Sequence, residues 1–194
     1  MKHRVIDELH FVLFFVGLVW AVFLLDIVLP GDFNNYGLVP RSTSGLSGIL
    51  TMPFLHGGWN HIAGNTVPLA ILLCLLAGSR ANTYSIVPQI IGLGGLLLWL
   101  FGRSRTIHVG ASGLIYGLMA FLIVAGLREG RLAALAVAIF VGVTYGATLL
   151  TGVLPMTVEH GVSWDGHLTG AVAGALVARF AVPTTQSEPA ALAH

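Results

Sequence analysis

Charge is what this chain has least of: 9 Lys and Arg and 8 Asp and Glu are spread through 194 residues, about 9% where a soluble domain carries about 25%. Too few charges remain to coat a solvated surface, which excludes a water-soluble globular domain and a disordered chain alike. The formal net charge is +1, with basic residues single or in pairs, so there is no electrostatic stripe for nucleic acid. Cysteine is nearly absent. The single Cys74 closes no intramolecular disulfide, which excludes a disulfide scaffold, and its place in the apolar run Ile71 to Ala77 predicts a buried small hydrophobe. What is abundant is apolar: 56% hydrophobic residues and a mean hydropathy of +0.88, in long runs broken by short polar ones. That is the pattern of an all-α, polytopic membrane protein.

A helix needs about 20 residues to cross the hydrocarbon core. Six apolar windows of suitable length run from His10 to Leu29, His61 to Ala77, Ile86 to Phe101, Ser112 to Leu127, Leu132 to Leu154 and Gly166 to Val182. The first follows Lys2 and Arg4 like a signal peptide, but its apolar stretch is too long and no small-residue cleavage site follows, so it reads as a retained span. Six spans put both termini on one side. Cytoplasmic termini leave Lys2, Arg4, Arg80, Arg128, Arg131 and Arg179 inside and Arg41, Arg103 and Arg105 outside, the distribution the positive-inside rule favours. The stretch from Pro30 to Asn60 is the one long connection, and its apolar part from Leu46 to Trp59 is expected to lie partly in the membrane interface. Residues 1–182 read as one membrane domain without internal repeats, and residues 183–194 as a disordered tail.

Polar residues inside or at the mouths of spans are costly in lipid and therefore informative. They gather in three places: His56 to Asn65 at the second span, Gly110 to Gly117 at the fourth, and Asp165 to Gly174 at the sixth. These three spans run in the same direction, so their first turns lie at similar depth. Residues four apart share a helix face, which pairs His61 with Asn65 and Ser112 with Tyr116. Gly113 and Gly117 on one helix, and Gly170 and Gly174 on the other, make small-residue stripes that allow close approach and bring Ser112 within hydrogen-bond reach of His167. A serine beside an imidazole is a nucleophile with its base. The start of a helix presents free backbone N–H groups to a developing oxyanion, and His61 and Asn65 add side-chain donors. Asp165 lies on a different helical face from His167 and reads as a solvated loop acid or helix cap; His108 and Trp59 read as interface residues, and Asp26 as reaching the headgroups. His56 and His61 are about 140° apart on a helix, which does not suit a two-histidine metal site, and no Cys or Glu completes one.

These motifs together resemble the rhomboid family of intramembrane serine proteases over roughly residues 8 to 182. The resemblance rests on Gly110-Ala111-Ser112-Gly113 with Tyr116 on the fourth span, His167 with Gly170 and Gly174 on the sixth, and His56, His61 and Asn65 at the second. It implies a six-helix bundle with a partly embedded first loop and a Ser112–His167 dyad without a third carboxylate. It also implies an oxyanion hole from His61, Asn65 and the Ser112 turn, with Tyr116 packed on the His167 ring, and His56 either ordering the loop or joining the chemistry. No cofactor or metal is implied. The partners implied are transmembrane protein substrates and the lipid bilayer of a bacterial-type plasma membrane; the sequence sets no oligomeric state. The Trp-Arg pair usual in the family's first loop is missing, with Ser47 and Gly48 near its place and Arg41 lacking a neighbouring Trp. Two other classes compete: a non-proteolytic rhomboid-like protein that binds membrane clients, and a small transporter. Almost wholly apolar third and fifth spans speak against the transporter.

Overall fold

The computed structural model describes residues 2–80, 82–158 and 161–183; the tail expected to be disordered lies, after Pro183, outside them. The described residues are helical throughout apart from turns and a single antiparallel bridge between Leu38 and His108. Among the described residues seven α-helices follow in order: α1 (Lys2–Val28), the short α2 (Gly48–Thr51), α3 (Trp59–Arg80), α4 (Thr83–Phe101), α5 (Ser112–Glu129), α6 (Leu132–Gly152) and α7 (Trp164–Ala181).

Among the described residues five helices are long and apolar enough to span a bilayer: α1, α3, α4, α5 and α6. The sixth expected span, α7, has the length at 18 residues but lower apolarity. The reason is its position. It packs between α4 and α5, and Asp165, Gly166, His167, Gly170, Ala173 and Gly174 are buried there. Its exposed large apolar residues, Leu168, Val172, Leu176 and Phe180, form one stripe at the four-residue spacing of a lipid-facing edge. A helix shielded by its neighbours needs apolar residues on that edge alone.

The central helix is α5, with 12 of its 18 residues buried, whereas α6 buries only Ala134, Ala138, Val141 and Gly152. Phe121, Leu118 and Met119 of α5 meet Leu69, Leu72, Leu73 and Leu76 of α3 and Ile86 and Ile90 of α4 in one continuous core. Since apolar side chains face both core and lipid, hydropathy alone does not sort them. Cys74 illustrates this: it is exposed on α3, on the face away from the core, and the expectation of burial is corrected.

The α5–α7 contact is made backbone to backbone. A Cβ placed on Gly170 would stand 2.8 Å from the Gly113 carbonyl carbon and 3.1 Å from its Cα; one on Gly174 would stand 2.6 Å and 2.9 Å from the same atoms of Gly117. No larger residue fits at 170 or 174, so Gly170 and Gly174, set against the backbone of Gly113 and Gly117, fix the separation of these helices.

At the opposite end of the bundle, α1 begins well before its expected start. Glu8 is buried there and accepts from both the backbone N–H (2.7 Å) and the hydroxyl of Thr83, capping α4 from another helix. Asp26, expected at the headgroups, holds the turn after α1, accepting from Phe33 N at 2.7 Å and Asn34 Nδ2 at 3.3 Å.

The connection between α1 and α3 is folded back onto the helices. Leu38, Met52, Pro53 and Leu55 are buried while Leu46 and Leu50 remain exposed. Arg41 does have a tryptophan beside it, supplied by α4. The Arg41 N–H donates to Trp99 O at 3.0 Å, Trp99 Nε1 donates to Ser42 O at 2.9 Å, and the Arg41 guanidinium reaches Leu100 O at 3.0 Å and the Ser104 hydroxyl. The loop is thus anchored across space rather than by adjacent residues.

Candidate active site

The site is assembled at the end of the bundle where α3, α5 and α7 begin. The turn into α5 requires glycine at position 110: its φ is +112°, and its N–H is taken by Met52 O at 2.9 Å. A Cβ there would fall 2.5 Å from His61 Nε2 and 3.5 Å from Asn65 Nδ2, so the His61 ring lies against bare backbone. His61 and Asn65, one turn apart on α3, are thereby brought to the turn that carries Ser112, the first residue of α5.

His56 stands behind them, 2% exposed. Its Nε2 lies 3.1 Å from Asn65 Nδ2 and 3.4 Å from Ala111 N, which donates to it. Two N–H donors converge on that nitrogen, so it accepts and the ring proton sits on Nδ1. Burial, reinforced by the neighbouring His61 at a ring separation of 5.0 Å, lowers the His56 pKa from 6.5 to about 4 and keeps the ring neutral. His56 therefore orients Asn65 and the Ala111 turn.

His167 lies in the first turn of α7, buried against the Tyr116 ring with centroids 4.0 Å apart and planes within 4°. Its Nδ1 is 2.9 Å from Gly152 O. A carbonyl only accepts, so Nδ1 carries the proton and Nε2 keeps a free lone pair, the tautomer a general base needs. Tyr116 is itself fixed by donating to Thr148 O at 3.0 Å. The last turn of α6 thus holds both rings through backbone carbonyls, and Gly152 leaves room for Tyr116: a Cβ there would stand 2.8 Å from its Cε1.

Ser112 is half-buried, and among the described residues its hydroxyl makes no hydrogen bond to His167. Contacts of this kind are often long until a substrate is bound.

Two sequence expectations change. Asp165 is not a solvated acid: it is 4% exposed and bound to Arg103. His108 is not an interface residue: it is 3% exposed, with Nδ1 2.7 Å from Ser163 Oγ and Nε2 2.9 Å from Thr106 Oγ1. Trp59 is exposed, as an interface aromatic is, and packs edge-on to Phe23 at 5.0 Å. The sequence did not point to Gly152 or Glu8; both act through partners far away in the chain. Among the described residues, no cluster of three or more His, Cys, Asp or Glu side chains gathers in metal-binding fashion.

Fold and site define an integral membrane protein, a helical bundle with a serine, two histidine-bearing turns and an asparagine converging at one end. The family model of the Rhomboid domain matches residues 43–184, and the chain belongs to the rhomboid family. An uncharacterized protein of Mycobacterium tuberculosis (strain H37Rv) is 39% identical over 174 residues, covering 86% of this chain and 72% of the relative. An uncharacterized protein of Mycobacterium leprae is 37% identical over 176 residues, covering 86% of this chain and 68% of the relative. The family is one of intramembrane-protease type.

Proposed function

We propose that the chain is an intramembrane serine endopeptidase that cleaves transmembrane proteins near the outer membrane face through a Ser112–His167 dyad. The observation that carries this reading is the state of His167: its Nδ1–H is engaged by the Gly152 carbonyl and its ring stacked on Tyr116, which leaves Nε2 as a base at the start of the Ser112 helix contact.

In this mechanism the Ser112 oxygen attacks the scissile carbonyl while His167 Nε2 accepts the hydroxyl proton. The tetrahedral oxyanion is met by His61, the Asn65 amide and the N–H groups of the first turn of α5. Collapse breaks the C–N bond, and His167 returns the proton to the leaving amine. Water then attacks the acyl-enzyme with the same proton relay reversed. The Gly152 carbonyl takes the orienting part that a carboxylate plays in a triad.

The substrate is a single-span protein whose helix is locally unwound by Gly, Pro or other weak helix formers, so that its carbonyl reaches Ser112. Both termini are cytoplasmic in a bacterial-type plasma membrane, on the distribution of basic residues. The test is cleavage of a helix-destabilised single-span reporter in proteoliposomes. Wild type cuts it and Ser112→Ala does not; an intact reporter that nevertheless co-purifies with folded wild-type protein favours the client-binding alternative.

A further inference from the structure

At the mouth of the site lies a buried polar knot that the chemistry above leaves unused. The Asp165 carboxylate accepts from the Arg103 backbone N–H at 2.8 Å and from Arg103 Nη2 at 3.1 Å. Ser163 Oγ donates to it at 3.2 Å, and His108 Nε2 stands 3.8 Å away. Arg103 grips the same segment twice more, donating to Val162 O at 3.4 Å and lying over the Trp164 ring at 5.6 Å. The Asp165 and His108 side chains are 6% and 3% exposed. A carboxylate this deep persists only when paired and hydrogen-bonded, and removing its partner leaves an uncompensated charge.

An ordinary capping role does not account for these contacts. The N-cap of α7 is already filled by Ser163, whose Oγ accepts from Gly166 N at 3.1 Å. Besides the Ser163 hydroxyl, the Asp165 carboxylate bonds across to Arg103 of the α4–α5 loop.

Among the described residues, two segments make this knot. One is the loop 102–111, which ends at Ser112; the other is the start of α7, where Asp165 lies two residues before His167. The glycine contacts between α5 and α7 fix how far apart the helices stand, and the Tyr116–His167 stack joins the two helices through ring faces, but neither contact is directional, so both resist sliding and rotation poorly. A directional, charged set of hydrogen bonds supplies that missing constraint.

We infer that Asp165 is a positioning residue: by fastening the loop that delivers Ser112 to the turn that delivers His167, it sets the register between hydroxyl and imidazole. The inference rests on the protease reading above.

The experiment compares wild type, Asp165→Asn, Asp165→Glu, Arg103→Gln and the double variant Asp165→Asn/Arg103→Gln in proteoliposomes. Active sites are counted by end-point labelling with a fluorophosphonate, and kcat and KM are taken per labelled site. Asp165→Asn is expected to lose about tenfold or more in kcat with KM little changed, and the rate of labelling falls in proportion. Arg103→Gln gives a similar loss, the double variant loses no more than the worse single one, and Asp165→Glu recovers part of the rate. Should Asp165→Asn not fold, Arg103→Lys, which keeps the charge but not the fork, carries the same comparison. A variant with fewer labelled sites or a lower melting temperature but wild-type kcat per site makes Asp165 merely structural and overturns the inference. Wild-type protein that neither labels nor cuts overturns the protease reading itself, a separate outcome.

Discussion

Replacing Gly170 by alanine puts one methyl group where α5 and α7 touch. The added Cβ stands 2.8 Å from the Gly113 carbonyl carbon, with the Gly113 oxygen closer still, whereas ordinary contact begins at 3.4 Å. Both obstacles are backbone, so the helices have to part by roughly 1 Å, at an overpacking cost of about 1–3 kcal/mol. Gly113 follows Ser112 directly and Gly170 is one turn beyond His167, so the gap opens between the two groups of the proposed dyad. A misplacement of this size costs about 100-fold in rate, equivalent to about 2.7 kcal/mol of barrier. The assay is reporter cleavage in proteoliposomes per folded enzyme, with thermal unfolding in parallel. Gly142→Ala on α6 is the control: nothing lies within 4 Å of its Cβ, and it is expected to leave activity unchanged while gaining up to about 1 kcal/mol of helix propensity. If Gly170→Ala cleaves within about threefold of wild type, the backbone contact does not govern the dyad and the reasoning fails.

Other consequences follow from the same geometry. Asn65→Ala removes the amide proposed to meet the oxyanion and is expected to lower kcat by about 100-fold with KM little altered; steady-state kinetics showing a loss of only a fewfold contradict that role. Glu8→Ala leaves the buried Thr83 N–H and hydroxyl without their acceptor and lowers stability by about 2 kcal/mol, read as a drop in melting temperature with turnover per folded molecule preserved. Burial holds His56 down to about 4 from 6.5 and lowers His108 as well. The unfolded chain therefore binds protons that the native chain refuses, and stability falls as pH drops from 6.5 toward about 4. Melting temperatures across that window record the fall, and His56→Gln makes it shallower; a flat profile for wild type speaks against buried neutral imidazoles.

The parts of this molecule that repeat at helical spacing were readable in the sequence. Apolar runs marked the spans, and the glycines at 113, 117, 170 and 174 marked the faces that meet. The α7 span is legible as the apolar window from Gly166 to Val182, although its apolarity is lower than that of the other five. What stayed hidden has no period. Asp165 and Arg103 are 62 positions apart, and Glu8 and Thr83 are 75 apart; nothing local in either sequence segment announces the partner. The Gly152 carbonyl that orients His167 is a backbone group, which any residue carries, and only the chain's path through space makes it special. Cys74 was misplaced for the opposite reason: lipid and core favour the same side chains, so an apolar run does not say which one a residue faces.

The most direct measurement of the central claim is the labelling of solubilised protein with a serine-reactive fluorophosphonate, comparing wild type with Ser112→Ala and His167→Ala. The account predicts labelling of wild type and none of either variant, because the hydroxyl reacts only when the imidazole takes its proton. Folded wild-type protein that stays unlabelled, or labelling that survives the loss of His167, contradicts it.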